Sequence, residues 1–256
     1  KKEYQATNYE SDLTDKQWEA IKEFFPSGNK SKYHKRSLVE AVLYIVKTGC
    51  QWRMLPHDDP PHDTVWSFYR RARENGVWDK MMKHLVKITR KQAGRNEEPS
   101  YALIDSQSVK QRVMEKIMDM TGEKNEGKKT AIVTDTMGNL LCIHVHAANI
   151  HDTKGGVYTF EKALYRYPTI QAGCADGGYR GTFRNTFDEF HNIRIDISMQ
   201  IKEQKGFQVL PKRWVVERTF AWLNGSRRLS KDYETSCCSA ETMIMISHAA
   251  TLLNRL

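Results

Sequence analysis

The chain has 256 residues, 39% of them hydrophobic, which suits a globular protein of two domains better than one. No stretch approaches the roughly eighteen consecutive apolar residues of a membrane span, KKEYQATNYE lacks the apolar segment of a signal peptide, and five cysteines form no Cys-x-x-Cys pair. This argues against a membrane protein, a disulfide framework and zinc ligation, and for the cytoplasm, while a net charge of +9 (+5 over residues 1–98, +4 over 99–256) favours nucleic acid or another polyanion.

Residues 12–95 read as all helix. Thr14 and Gln17 have the spacing of a capping box, opening a helix that Pro26-Ser-Gly-Asn ends. Leu38, Val42, Ile45 and Val46 space a second helix, closed near Gly49. The proline-rich CQWRMLPHDDPPHD then turns into a third helix from about Thr64 to Glu74, and a fourth runs from Trp78 to about Lys91. Trp18, Trp52, Trp66 and Trp78 are expected to build a compact aromatic core. The third helix carries Arg70, Arg71 and Arg73. Helix, turn and basic helix is the layout of a DNA-reading module, and equally that of a bundle with a solvated face.

Polar residues 92–100 mark a domain boundary, giving domains of 1–95 and 96–256. Tyr101 to Asp105 reads as a short buried strand ending in a carboxylate. Residues 131–134 and 140–146 read as two strands joined by the turn Asp135-Thr-Met-Gly138, which Asp135 serves. A helix follows over 153–166. Ile170 to Asp176 is a fourth strand, again ending in an aspartate, and Gly177-Gly178 turns at once toward a helix from Thr182. Ile193 to Ile197 is a fifth strand, and a last helix runs from about Ala240. Residues 107–129, polar, charged and rich in Lys and Met, read as a loop or a mobile segment. Strands alternating with helices predict a mixed sheet with helices on its faces.

The helix from Pro211 sets one carboxylate apart. Val215, Val216, Phe220, Trp222 and Leu223 share a broad apolar arc, while Arg213, Glu217, Asn224 and Arg228 share a narrow one beside it. Taken alone this is an amphipathic helix with an Arg-Glu pair. Asp105 and Asp176, however, each end a strand, where open α/β sheets place their sites. Carboxylates gathered there repel unless cations neutralise them, and hard cations such as Mg²⁺ suit oxygen ligands. Asp152 reads as a helix cap or as a group behind the site.

IDSQSVK at 104–110, ADGGYRG at 175–181 and KRWVVERTFAWLNGSRRLSKDYE at 212–234 closely resemble the bacterial insertion-sequence transposases of the insertion sequence five group. LTDKQWEAI, GCQWRMLP, TVWSFYRRARENGVW, VTDTMGNLL and HAANIHD resemble the same family. The resemblance implies an RNase H-like core; with the elements read above, a five-stranded mixed sheet preceded by a small helix-turn-helix-like domain is expected. It implies a DDE triad of Asp105, Asp176 and Glu217 holding two Mg²⁺ ions, with Mn²⁺ as a substitute. In the family's Tyr-x₂-Arg-x₃-Glu-x₆-Lys signature Arg213 and Glu217 match, while Leu210 and Asn224 replace Tyr and Lys. Gly127-Lys-Lys-Thr-Ala131 is less basic than the corresponding run in many relatives.

The expected function is a DNA transposase that binds its terminal inverted repeats, cuts the element ends and joins the 3′-hydroxyl to target DNA. The expected partners are double-stranded DNA and a second copy of the chain when DNA is bound. Arg213, Arg228 and Lys110 are expected at phosphates near the scissile bond. Arg70, Arg71, Arg73, Arg36 and Arg53 are expected DNA contacts in the helical domain. The rival readings are a non-catalytic DNA-binding relic and an RNase H-like nuclease that acts on DNA structure.

Overall fold

The computed structural model describes residues 3–28, 32–109, 128–198 and 213–256. It resolves into two compact units. One comprises residues 1–92 with 222–230 and 242–256, and the other comprises 93–221 with 231–241. The helical unit is thus not one contiguous N-terminal stretch.

In the helical unit, helix α1 (Asp15–Ile21) opens on the expected box: Gln17 N–H donates to Thr14 Oγ1 and Thr14 N–H donates to Gln17 Oε1. Helix α2 (Lys35–Thr48) ends at Gly49, whose φ of 69° is left-handed. A Cβ there would also lie 3.0 Å from the Arg227 backbone, so both conformation and space select glycine. Helices α3 (His62–Glu74) and α4 (Val77–Gln92) complete the N-terminal part. Phe25, Phe68 and Trp78 form an aromatic cluster, with ring centroids 5.3–6.1 Å apart.

The four tryptophans do not share one core. Trp78 is buried, Trp18 and Trp52 are half-buried, and Trp66 is 42% exposed. The reason is helical phase. Helix α3 buries Val65, Phe68, Tyr69 and Ala72, a strict i, i+3, i+4, i+7 face, and Trp66 falls off it. Arg36 is buried instead. It pairs with Glu40 at 2.9 Å and Asp15 at 2.6 Å, donates to the Leu13 carbonyl, and lies over the Tyr4 ring. Glu40 Oε1 also accepts from Leu13 N–H and Tyr4 O–H, so the buried ion pair has the further hydrogen bonds that burial calls for.

The second unit is built on a five-stranded sheet of order β3-β2-β1-β4-β5. Strands β1 (Tyr101–Val109), β2 (Lys128–Asp135) and β3 (Leu140–Ala147) are antiparallel; β4 (Ala172–Asp176) and β5 (Arg194–Ser198) continue it in parallel from β1. Asp135 serves the β2–β3 turn as expected, accepting from Met137 and Asn139 backbone N–H groups. Strand β1 does not stop at Asp105 but runs to Val109, because residues 102–109 pair throughout with β2. The expected loop at 107–129 therefore gives up both its ends to strands, and residues 110–127 lie outside the described residues.

Helices α5 (Asp152–Arg166) and α6 (Thr182–Phe190) supply Phe160, Phe183 and Phe187, whose rings pack together. A Cβ on Gly173 would lie 2.6 Å from the Phe160 ring, so that face of β4 belongs to α5. Helix α7 (Arg213–Asn224) and helix α8 (Cys237–Leu253) complete the chain; Pro211 lies outside the described residues. Among the described residues no helix is long and apolar enough to cross a membrane.

Asp59, in the helical unit, carries an electrostatic cost. Burial first, then the charges of Asp12, Glu40 and Asp58, raise its carboxyl from 3.8 to about 6. A carboxyl raised in the folded state favours folding only while protonated. Stability should therefore fall as pH rises from about 4 to about 6. Asp59→Asn is expected to flatten that window and raise the melting temperature at pH 7–8, measured by thermal denaturation across pH.

Candidate active site

Strands β1 and β4 share only the register pairs Tyr101–Ala172, Ala102–Gly173 and Leu103–Cys174. Beyond them β1 stays with β2, and β4 stays with β5 through Asp176–Ser198. Two residues past the last shared pair stand Asp105 and Asp176. They are therefore level with each other in register, on neighbouring strands just past the end of the shared ladder. Side chains alternate along a strand, so both aspartates share the face of Leu103 and Cys174, opposite the α5 face of Gly173.

A cleft opens at this point. It is lined by Leu103, Ile104, Asp105, Cys174, Ala175, Asp176, Ser198 and Val216, and spans about 230 Å³ including its open mouth. Both aspartates are half-buried in it. Each has one oxygen held by backbone: Asp105 Oδ1 accepts from Ser106 N–H at 2.8 Å, and Asp176 Oδ1 from Gly178 N–H at 2.9 Å. The Gly177-Gly178 turn thus fixes the second aspartate as well as reversing the chain.

Val216 of α7 walls the cleft, and Glu217 is the next residue. The helix is tied to the β2–β3 turn. Arg218 Nη2 donates to the Met137 carbonyl at 2.9 Å, and Thr219 Oγ1 to the Gly138 carbonyl at 2.8 Å. Val215, Val216 and Thr219 are buried, while Glu217 is exposed.

Three carboxylates flank one phenol behind the cleft. Burial first, then the charges of Asp105, Asp152 and Asp176, push the Tyr179 hydroxyl well above its usual range, so it stays protonated. Asp152 is half-buried; burial alone would raise its carboxyl, but Lys129 and Ser106 hold it below the usual range.

The donor chemistry fits a hard divalent cation, since Asp105 and Asp176 offer carboxylate oxygens from one level of the sheet. Among the described residues no three Asp, Glu, His or Cys side chains close into a ligand set, and Glu217 stands outside the aspartate pair. Of the expected DNA contacts, Arg53, Arg70 and Arg71 are exposed and Arg73 is half-buried. Arg228 is corrected: it is buried in the helical unit, where Nη1 faces the Cys50 carbonyl at 3.4 Å. Arg36 is corrected for the same kind of reason, being spent on Glu40 and Asp15. Lys110 and the Arg213 side chain lie outside the described residues. Sequence reasoning missed Ser198, Lys129, Arg218 and Thr219. Their roles arise from strand register and helix docking, which leave no short-range spacing signal.

Residues 96–252 match the family model described as the transposase DDE domain. The chain belongs to the DDE transposases. Residues 13–82 also match a model described as "Putative transposase of IS4/5 family", so the transposase is of the insertion-sequence kind. A relative from Sinorhizobium fredii, described as "Uncharacterized protein y4sN", is 32% identical over 102 residues, which are 38% of this chain and 75% of that protein. The transposase's sheet order and flanking helices are those of an RNase H-like fold, with a helical region before it. DNA is its substrate, and the chemistry of its family depends on divalent metal.

The α7 anchor gives a direct test. Thr219→Val removes the hydroxyl that donates to the Gly138 carbonyl and keeps the volume. Unfolding free energy is expected to drop by about 1–3 kcal/mol in denaturant titration.

Proposed function

We propose that the transposase binds the terminal inverted repeats of its own insertion sequence, cuts the element ends, and joins the freed 3′-hydroxyls to target DNA. One arrangement carries the reading. Asp105 and Asp176 stand level where two parallel strands part, in a cleft walled by the residue before Glu217. In this reading Asp105, Asp176 and Glu217 would hold two Mg²⁺ ions, with Mn²⁺ as a substitute. Cations bound there supply positive charge to the attacking and leaving oxygens of a phosphodiester.

The protein's own groups do the positioning. The aspartates are held by backbone N–H groups on strands that the sheet immobilises. Glu217 sits on a helix that Arg218 and Thr219 tie to the β2–β3 turn. In cutting, water forms a new P–O bond as the element's 3′ oxygen leaves. In joining, that 3′-hydroxyl forms the bond to target phosphorus as a target oxygen leaves. Arg213 and Lys110 serve as phosphate contacts near the scissile bond.

The helical unit reads the repeats through α3, whose exposed face carries Arg70 and Arg71, with Arg53 and Arg73 nearby in sequence. Trp66 joins this face, with the Arg70 guanidinium 5.1 Å over its ring. Two ends must be held together, so a dimer forms on DNA.

Cleavage of end-containing DNA with Mg²⁺ or Mn²⁺ tests the reading. Asp105→Asn, Asp176→Asn and Glu217→Gln are each expected to lower cleavage by at least about 100-fold, since even changes behind metal ligands cost 10–100-fold. DNA binding should survive all three. Undiminished strand transfer by any one would remove that residue from the triad.

A triple Arg70→Ala, Arg71→Ala, Arg73→Ala variant is expected to bind end DNA more weakly. The slope of log affinity against log salt should become shallower by roughly one for each of these arginines that neutralises a phosphate. Gel-shift titrations at several salt concentrations measure both quantities.

A further inference from the structure

Among the described residues, Asp105 sits on a stretch of β1 that is paired on one side alone. Past Leu103–Cys174 the ladder to β4 stops, and β2 holds this part of β1. A carboxylate level with another carboxylate needs more than that to hold its aim, because like charges push them apart.

The structure supplies a chain of contacts from the opposite face of the sheet. Ser106 N–H donates to Asp105 Oδ1 at 2.8 Å. The Ser106 side chain, one residue on, points to the other face, where its hydroxyl donates to Asp152 Oδ1 at 3.1 Å. Lys129 Nζ, from the position on β2 opposite Ser108, reaches the same oxygen at 3.0 Å. Asp152 opens α5, where the helix dipole favours a carboxylate, and His151 Nδ1 caps that turn by accepting from Thr153 N–H. Helix α5 is in turn locked by close approaches: a Cβ on Gly155 would lie 2.5 Å from His146 Nε2, and one on Gly156 would lie 2.3 Å from the Tyr179 ring.

From this we infer that Asp152 and Ser106 are positioning residues for Asp105. The rigid start of α5 fixes the Ser106 side chain, that fixes the Ser106 backbone N–H, and the N–H fixes the carboxylate. Lys129 has a separate part. It neutralises Asp152, so the anchor adds little negative charge behind the aspartate pair. A carboxylate that served only the first turn of α5, whose cap is His151, would need neither the Ser106 contact nor a lysine from β2. The inference rests on Asp105 being a metal ligand, as proposed above.

The test titrates Mn²⁺ alone into the full-length protein and follows the electron paramagnetic resonance signal of free Mn²⁺. Asp105→Asn is the reference. If it leaves Mn²⁺ affinity unchanged, the assignment of Asp105 fails and takes this inference with it. If it weakens binding, the anchor is judged by Ser106→Ala, Asp152→Ala and the double variant. Each single change is expected to weaken Mn²⁺ binding by roughly 10-fold. The double variant should be no worse than either single one, because both act along one path. Ser106→Thr keeps the hydroxyl and should restore affinity. Unchanged affinity in both single variants, or losses that simply multiply in the double, would overturn the inference. Melting temperatures of all variants are compared, so that a variant that merely unfolds is recognised. A Ser106→Thr variant as folded as wild type, yet as weak as Ser106→Ala, would also overturn it.

Discussion

Strands β1 and β4 run side by side for three residue pairs and then separate, and the candidate site depends on that separation. A parallel ladder carried two residues further would have closed backbone against backbone at the level of Asp105 and Asp176. Because β1 keeps β2 and β4 keeps β5, the sheet stays continuous while a cleft opens inside it. Two carboxylates are thereby held level without being buried, which an acidic pair could not tolerate unpaired.

The two faces of the sheet then divide the work. On one face α7 brings Val216 over the cleft and is tied to the β2–β3 turn through Arg218 and Thr219. That turn is itself organised by Asp135, so a hairpin's own hydrogen bonds set where α7 docks. On the other face α5 packs against β4 at Gly173, where no side chain could fit beside Phe160. The candidate site belongs to the first face and its packing support to the second.

Much of this is legible in the sequence, for definite reasons. The Thr14–Gln17 box, the Gly49 stop and the Asp135-Thr-Met-Gly138 turn are local devices, and local spacing reveals them. The two aspartates can be found because each follows a short apolar run. What fails is non-local. Ser106-Gln-Ser looks like loop, yet pairing with β2 keeps it in β1. Arg36 and Arg228 look like any other basic residues, and only the fold reveals that both are buried, Arg36 against carboxylates and Arg228 beside a carbonyl. Trp66 reads as core because tryptophan usually is; one residue of helical phase puts it outside.

The composition of the helical unit bears on how the protein is made. Gln17 of α1 donates to the Leu253 carbonyl, and Ser226 and Ser247 share a hydrogen bond, all within that unit. A ribosome releases α1 to α4 long before residues 222–256 exist. The nascent helices must therefore wait, partly unpacked, while the whole sheet is synthesised. Contacts between residues more than 230 positions apart also slow folding, since the loop must close before they form. A chain cut short by a frameshift or a stop codon within residues 242–256 would lose part of its first-made unit. Such a stop would remove residues of the helical unit alone and spare all those that make up the sheet-bearing unit.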